Sequence, residues 1–394
     1  MIYPCHSHWL IVCVSILSAA ASSIRSEEGV GFSKIRPSKG PHVKTDRGYM
    51  VPYRATILDT NVSFEMVPIP GGTFRMRTPK AALNPERASE VEVTIEPFWI
   101  GRYEVTWAEY NQYYDLLESF RRFDRLGIRK VTGENQIDAI TAPSAIYDER
   151  LRFPTTADKR DWPQHPAVSM TQYGAKQYTK WLSKLTQDFY RLPSEAEWEH
   201  ACRAGSTTSY CFGDDARKLA DYAWYFGNSA DDTHPVGLKK PNRWGLYDMH
   251  GNASEWVLDQ YSETYDPLRK AIAAGKQPIH WPTRLHPRTV RGGSWESDAV
   301  DCRSAARIGS SVDWHEEEAM IPPSPTWLAS HVQRQIGFRI ARPLNRPPIK
   351  SHGKYWDADV DELKEAVTEY SSNGRSFKGL VDPKLPAAIK QLKK

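Results

Sequence analysis

Oxygen-bearing groups concentrate in one turn-rich segment near the middle of the chain. Asp248 and Glu255 flank a short stretch that contains Gly251, Asn252 and Ala253. Irregular backbone of this kind must satisfy its polar groups, and a bound cation does so by taking carbonyl oxygens as ligands. Calcium prefers about six to eight oxygens from carboxylates, carbonyls and water. The segment is therefore typical of a calcium site. The alternative is a turn whose carboxylates accept backbone N–H groups.

Thiols are the second group of residues that could do chemistry. The chain has five cysteines, and Cys202, Cys211 and Cys302 remain once an N-terminal signal peptide is removed. An odd number in an exported protein leaves at least one thiol free or paired between molecules. Cys202 and Cys211 could bridge the end of a helix to the loop after it, or all three could be separate thiols.

Arginine and tryptophan form a third set, in and after the sequence Arg-Gly-Gly-Ser-Trp at 291–295. Arg291, Trp295 and Arg307 are predicted to contact a ligand, because guanidinium groups near glycines and serines can form forks that bind anions or peptides. The same arginines could instead hold loops together by donating to carbonyls. The sequence contains no GxSxG nucleophile motif, P-loop or dinucleotide fingerprint, so it gives no support for those enzyme classes.

Three helices are predicted to position these groups. The segments Thr106–Glu109, Ser169–Gln172 and Ser194–Glu197 each place a hydroxyl three residues before Glu or Gln. This is the spacing of a capping box, in which the hydroxyl accepts from a free backbone N–H and the longer side chain reaches back. Each segment therefore predicts a helix that begins there.

Strands are predicted mainly in the first part of the globular region. Val67 and Ile69 precede Pro70–Gly72, so the sequence predicts a hairpin with its turn at those residues. Val91–Ile95 alternates as a half-buried strand. After about residue 205 periodicity fades, and a long loop-rich stretch of this kind is usually functional or held by a ligand. The segments 119–165 and 310–333 are predicted to be surface insertions.

Bulk properties limit the possible locations and partners. The chain has 394 residues and a net charge of only +4, without a basic helix or stripe, which argues against nucleic acid. The apolar run at 10–17, followed by Ala19–Ala21, is typical of a secretory signal and is too short to span a bilayer comfortably. We therefore expect an exported protein, periplasmic or extracellular, without a stable membrane anchor.

The predicted layout has four parts. It consists of a signal peptide at 1–21, a flexible polar lead-in at 22–60, a globular domain at 61–345 and a polar tail at 346–394. Within the tail a short helix is predicted at Asp359–Tyr370, since acidic residues at its start are favoured by the helix dipole.

An ordered set of motifs resembles the formylglycine-generating enzyme (sulfatase-modifying factor) family. Each motif is weak alone, but together they follow the order of that family along the chain. They are Met66–Phe74, Tyr103–Thr106, His165–Val168, Arg191–Glu199, Ala201–Gly205, Trp244–Trp256, Arg291–Trp295 and Gly337–Arg339. The resemblance implies the family's C-type-lectin-like α+β fold, with short twisted antiparallel strands, several helices and much irregular loop.

The resemblance also implies a calcium ligand set. In that family the positions of Asp248 and Glu255 supply side-chain ligands, and those of Gly251 and Ala253 supply backbone carbonyls. An aspartate at the first position adds a full negative charge, which suits calcium.

The family's oxidases convert the cysteine of a sulfatase Cys-x-Pro-x-Arg sequence to formylglycine, using Cu(I) held by two thiolates. The corresponding positions here are Ser297 and Cys302. A serine hydroxyl cannot replace a thiolate for Cu(I), which selects soft sulfur ligands. We therefore expect a lectin-like domain that binds a ligand or protein and has lost the copper site, with Cys302 as a buried structural residue. The alternatives are an active oxidase that acts on a sulfatase or other exported protein through Cys302 alone or with a different metal, or another oxidoreductase on the same scaffold.

Overall fold

Short strands and helices alternate along the chain, and the predicted α+β class is confirmed. The structure, a computed structural model, describes residues 29–57, 60–78, 89–114, 162–315 and 334–372, with short pieces at 125–127, 140–142, 326, 328, 377–379 and 391. The signal peptide predicted at 1–21 and most of the two predicted insertions lie outside the described residues. No helix in the described ranges is long and apolar enough to cross a bilayer.

The described elements build several small sheets. The strands are β1 Phe32–Ser33, β2 Val43–Thr45, β3 Gly48–Met50, β4 Tyr53–Thr56, β5 Ser63–Ile69, β6 Gly72–Arg77, β7 Glu90–Ile95, β8 Phe98–Gly101, β9 Ile140–Ala142, β10 Ser254–Gln260, β11 Arg288–Arg291, β12 Arg307–Gly309, β13 Ile336–Gly337, β14 Ala341–Pro343 and β15 Phe377–Gly379. The helices are α1 Trp107–Tyr114, α2 Gln172–Thr186, α3 Glu195–Arg203, α4 Asp266–Ala273, α5 Gly353–Trp356 and α6 Asp361–Ser372. Two four-stranded sheets, ordered β14-β8-β5-β4 and β12-β11-β10-β13, form the centre. The chain between α3 and β10 is almost entirely loop, as predicted.

One long antiparallel ribbon includes β5 and β6 on one side and β8 and β7 on the other. A single register extends over both strand pairs. The hairpin predicted at Pro70–Gly72 is therefore wrong, because the chain continues along the ribbon there. A Cβ on Gly71 would lie 2.7 Å from the carbonyl oxygen of Ile95, so glycine permits the close approach of the two sides. The strand predicted at Val91–Ile95 is confirmed, with alternate residues buried.

Residues 29–57 are ordered parts of the fold, which corrects the flexible lead-in predicted for 22–60. Strands β1, β2 and β3 form a small sheet, and β4 extends a central sheet by pairing with β5. Phe32 and Tyr53 pack edge-on against the buried ring of Trp99, with centroid distances of 5.1 and 6.1 Å. A few aromatic contacts thus fix a segment whose average composition is polar.

Capping sequences identify two helix starts correctly. The backbone N–H and hydroxyl of Thr106 both donate to Glu109 at the start of α1, at 3.3 and 3.0 Å. Ser194 and Glu197 form the reciprocal capping box of α3. These bonds satisfy backbone groups that the helix itself leaves unpaired.

The helix start predicted at Ser169–Gln172 is displaced by two residues. The N-cap of α2 is Thr171, whose hydroxyl accepts from the backbone N–H of Gly174 at 2.9 Å. Ser169 instead has a left-handed backbone with φ of 70°. A cap residue normally has an extended backbone, so Ser169 cannot cap this helix.

Glu109 is expected to make stability depend on pH. Burial raises the pKa of its carboxyl to about 7, against the opposing effect of hydrogen bonds from Thr106. An unfolded glutamate has a pKa of about 4.3, so the folded state binds the proton more tightly and loses stability as pH rises between these values. The loss between about pH 5 and about pH 8 is expected to be on the order of 2 kcal/mol. Urea unfolding of Glu109→Gln at both pH values should lack this component, and an unchanged pH dependence would contradict the assignment.

The tail beyond residue 345 packs into the core. Helix α6 confirms the helix predicted at Asp359–Tyr370, beginning two residues later. Trp356 is 3% exposed, and its indole N–H donates to the Tyr190 carbonyl at 2.9 Å. Asp359 accepts two hydrogen bonds from Arg288, at 2.7 and 2.9 Å. The segment is therefore held by an aromatic anchor and an ion pair.

Candidate functional site

The segment predicted to bind calcium forms a buried loop that leads into β10. Asp248 and Asn252 have left-handed backbones, with φ of 58° and 68°. The Asn252 amide donates to Glu104 at 2.9 Å, which joins the loop to the strand-helix connection before α1. Gly251 is pressed against another loop, since a Cβ there would clash with the Trp224 carbonyl. Contacts with these neighbouring segments thus fix the conformation of the loop.

Glu255 is held by a buried ion pair. Its Oε1 and Oε2 each accept from the guanidinium of Arg339 at 2.6 Å, and Oε2 also accepts from the indole N–H of Trp198 at 2.8 Å. The side chains of Glu255 and Arg339 are completely buried. Both oxygens of the predicted calcium ligand are therefore occupied by donors from the protein.

Two further carboxylates face the same centre. Asp248 Oδ2 accepts from the Gly237 N–H at 2.7 Å, whereas Oδ1 is buried without a hydrogen-bond partner among the described residues. Glu104 accepts from the Ala253 N–H at 2.7 Å. Burial raises the pKa of Asp248 to about 6. Burial, together with the charges of Asp248 and Glu255, raises the pKa of Glu104 well above its usual range.

These contacts test the predicted calcium ligands. Asp248 Oδ1 fits, because it is a buried oxygen without a donor. Glu255 does not fit, because calcium would have to displace the guanidinium of Arg339 from both of its oxygens. Within the described ranges, no three His, Cys, Asp or Glu side chains are grouped so as to hold a metal ion. The full ligand set with Gly251 and Ala253 does not suit this arrangement, and we derive no function from calcium.

The side chains at the two positions that correspond to the family's copper ligands are also engaged by the rest of the protein. Ser297 Oγ accepts from the Ser294 N–H at 2.9 Å. Cys302 is completely buried in a small apolar cluster that includes Leu219 and Ala223. Burial and the neighbouring acidic residues raise the pKa of the Cys302 thiol, so it stays protonated. A protonated, enclosed thiol is a poor ligand and a poor nucleophile.

The three cysteines in the described part of the chain, Cys202, Cys211 and Cys302, are free, and their segments meet at His250. The ring Nε2 accepts from the Cys211 N–H at 3.1 Å, and Nδ1 lies 2.8 Å from the Cys302 carbonyl oxygen, to which it donates. The Cys202 sulfur lies 3.8 Å from Nε2 of the same ring, and burial raises the pKa of its thiol to about 12. His250 therefore ties two loops together through their backbones.

Arg291 and Arg307 are placed in interior ion pairs. The Arg291 side chain is completely buried and donates to Glu199 at 2.5 Å. Arg307 makes a bidentate pair with Glu195 at 2.5 and 2.6 Å and is also nearly buried. Neither guanidinium is open to a ligand, which favours the alternative that they hold loops together.

Trp295 lies differently from the two arginines. It is partly exposed, and its backbone joins the loops, since its N–H donates to the Asn252 carbonyl at 2.9 Å and its carbonyl accepts from Ser229 at 2.8 Å. Of the three residues predicted to bind a ligand, it is the one that a ligand can reach.

Glu104, Trp198 and His250 also belong to this centre, and no sequence pattern predicts that they do. All three belong to motifs or segments already noted, but no local spacing links them to their partners. Glu104 lies 148 residues before Asn252 in the chain. Only the order of the family motifs indicated that these segments meet.

Comparisons with known sequences agree with the motifs. The family model of the sulfatase-modifying factor enzyme 1-like domain matches residues 58–319. The formylglycine-generating enzyme of Mycobacterium tuberculosis is 28% identical over 300 residues, which cover 63% of this chain and 93% of that enzyme. The serine/threonine-protein kinase Pkn1 of Chlamydia trachomatis is 28% identical over 309 residues, which cover 77% of this chain but only 45% of the kinase.

Solved structures agree as well. PvdO from Pseudomonas aeruginosa matches with a TM-score of 0.51 and 30% identity, covering 73% of this chain and 97% of that one. Treponema denticola variable protein 1 also matches with a TM-score of 0.51, at 21% identity, covering 74% and 99%; that likeness concerns the fold alone. Since the family model matches well over half of the chain, this protein belongs to the sulfatase-modifying factor enzyme 1-like family, to which the formylglycine-generating enzymes belong.

Proposed function

We propose that this chain is an exported family member that binds a ligand or a protein and no longer oxidises cysteine with copper. The observation that carries the proposal is the pair of residues at the copper positions. Ser297 supplies a hydroxyl already bonded to the backbone, and Cys302 supplies a protonated, buried thiol. Cu(I) needs soft thiolate ligands, and this pair offers none.

A binding role is supported by the surface next to Ser297. Phe226 is 61% exposed, and its backbone N–H donates to the Ser297 carbonyl at 3.1 Å. Val300, a few residues along the same loop, is 48% exposed. Exposed apolar residues beside partly exposed Trp295 are typical of a contact surface on loops carried by a rigid scaffold.

The second candidate function is an active formylglycine-generating oxidase that acts on a sulfatase or another exported protein. It is favoured by the match to the mycobacterial enzyme, which extends over 93% of that enzyme's length. It requires Cys302 to become accessible and to bind copper without a second thiolate at 297.

The deciding experiment is a mass-spectrometric assay of peptide oxidation. The full chain would be incubated with a Cys-x-Pro-x-Arg peptide, Cu(I), a thiol reductant and oxygen, beside the Ser297→Cys variant. We expect no formylglycine from the unmodified chain, because one buried thiol cannot hold Cu(I). Ser297→Thr serves as the matched control, since it changes the side chain without adding sulfur.

Each outcome of the assay has a defined meaning. Conversion by the unmodified chain would overturn the proposal. Conversion by Ser297→Cys alone would mean that a single lost ligand separates this chain from the oxidases. If neither the unmodified chain nor Ser297→Cys converts the peptide, the result would support a binding role and more than one difference from the oxidases. The next step would then be a search for binding partners.

A further inference from the structure

A separate cavity of about 430 Å³ lies between the start of α1 and strands β4 and β5. Its walls include the apolar side chains of Phe64, Val105 and Ile340, and two acidic residues, Glu104 and Glu109, also line it. Small-molecule sites have volumes of roughly 300–1,000 Å³, with mostly apolar walls and a few polar groups. The volume of the cavity falls in this range, and its walls combine apolar residues with polar ones.

Glu109 provides one carboxyl oxygen that accepts no hydrogen bond from a described residue. The side chain is more than nine-tenths buried, and its Oε1 accepts from both the N–H and the hydroxyl of Thr106. No described residue donates to Oε2, and Glu109 lines the cavity. Glu104 differs, since its two oxygens already accept from Asn252 and Ala253. A carboxylate oxygen without a donor from the protein can accept a hydrogen bond from a ligand.

The charges around the cavity indicate the sign of that ligand. Glu65, at the rim, is already neutralised by Arg54 at 2.6 Å and by Arg102 at 2.9 Å. Arg54 is 67% exposed and directed to this rim pair. Among the described residues, no basic side chain pairs with Glu109. The unmatched charge of the cavity is therefore negative, and its complement is a cation.

The walls indicate that the cation is organic. A calcium ion would need about six to eight oxygen ligands, whereas Phe64, Val105 and Ile340 supply hydrocarbon. An alkylammonium group suits both features, because its nitrogen carries three donors and its chain can pack on apolar walls. The cavity is also many times larger than a metal ion.

We propose that this cavity binds an alkylammonium group, with the nitrogen on Glu109 and the alkyl chain against Phe64 and Ile340. The group could belong to a free amine or to a lysine side chain of a bound peptide, since the chemistry is the same. The inference goes beyond the proposed binding surface, because Phe226, Trp295 and Val300 are not among the described residues that line this cavity.

Isothermal titration calorimetry of the full chain at about pH 8, where a carboxyl of this kind is ionised, tests the proposal. The probes are 1,5-diaminopentane and Nα-acetyl-lysine methylamide, with 1,5-pentanediol as the neutral isostere. We expect at least one of the two amines to bind and the diol not to bind. Binding of the diamine alone indicates a free amine as ligand, and binding of the lysine derivative indicates a peptide.

Variants separate the cavity from general charge effects. Glu109→Gln is expected to weaken amine binding at least about ten-fold, the equivalent of about 1.4 kcal/mol. Glu92→Gln, on the exposed face of β7, removes an acidic residue elsewhere and is expected to have no effect. Ala108→Leu adds side-chain volume to the cavity from a partly exposed position on α1 and keeps Glu109. It should abolish binding because the larger side chain occupies the cavity. The helix should persist, because leucine suits a helix about as well as alanine.

The proposal is overturned if neither amine binds, or if binding persists unchanged in both Glu109→Gln and Ala108→Leu while circular dichroism shows both variants folded. Such a failure would concern the cavity alone. The peptide oxidation assay would still decide between a binding domain and an oxidase, because it depends on Ser297 and Cys302 and not on Glu109.

Discussion

Arg339→Ala is expected to reduce the free energy of unfolding by about 3–5 kcal/mol, the usual cost of removing one partner of a buried ion pair. The variant removes the guanidinium that donates to both oxygens of Glu255. It leaves Glu255 beside Asp248 and Glu104, three buried carboxyl groups without that cation. A loss of this size is a large fraction of the stability of an ordinary domain, which is about 5–15 kcal/mol.

Urea denaturation followed by tryptophan fluorescence measures this loss. Arg75→Ala is the matched control, because Arg75 also pairs with glutamate but its side chain is 62% exposed; exposed pairs contribute about 0–1 kcal/mol. The double variant Arg339→Ala/Glu255→Gln completes a cycle and should recover part of the loss, since it removes one uncompensated charge. Equal losses in Arg339→Ala and Arg75→Ala would contradict the central role of this pair.

The same variant bears on calcium. If Arg339 holds Glu255 in place of a metal ion, calcium should not raise the stability of the unmodified chain. A ligand that binds only the folded state would raise it by an amount that grows with the logarithm of the ligand concentration above its Kd. In Arg339→Ala the freed carboxylates could take a cation, so stabilisation by calcium in the variant alone would support this substitution of a guanidinium for an ion.

Sequence patterns correctly predicted the helix starts and strands that depend on residues close together in the chain. The capping box at Ser194–Glu197 joins residues three apart, so the sequence alone located the start of α3. The alternation at Val91–Ile95 gave β7 for the same reason. The turn predicted at Pro70–Gly72 failed because pairing with a strand more than twenty residues away fixes the direction of the chain there.

The candidate site lies beyond such patterns. The sequence identified Asp248 and Glu255 as acidic groups in one loop, but their partners come from distant segments. Arg339 lies 84 residues from Glu255 along the chain. Whether a carboxylate faces a metal ion or a guanidinium depends on these long-range contacts. The resemblance to the family therefore could not reveal that Glu255 pairs with Arg339 and does not suit calcium.

Trp356→Ala is expected to destabilise the chain by about 3–5 kcal/mol, the cost of truncating a large buried aromatic side chain. The ring packs on Phe189 with a centroid distance of 5.0 Å, and its N–H donates to the Tyr190 carbonyl. Its own carbonyl accepts from Gln177 of α2 at 2.6 Å. The tail would then be part of the folding unit at least as far as Trp356, the last residue of α5.

A truncated chain compares the contribution of Trp356 with that of the whole tail. A chain that ends after residue 345 should lose at least as much stability as Trp356→Ala, because it also removes Asp359 from Arg288 and Lys176. Lys364→Ala, at a pair on the exposed side of α6, is the control and should change stability by less than about 1 kcal/mol. If truncation left the urea midpoint unchanged, the tail would be an appendage and the boundary at 345 would stand. A loss that appears in both Trp356→Ala and the truncated chain would instead move the boundary of the folded domain to at least Asp359, since stability is shared only among segments that unfold together.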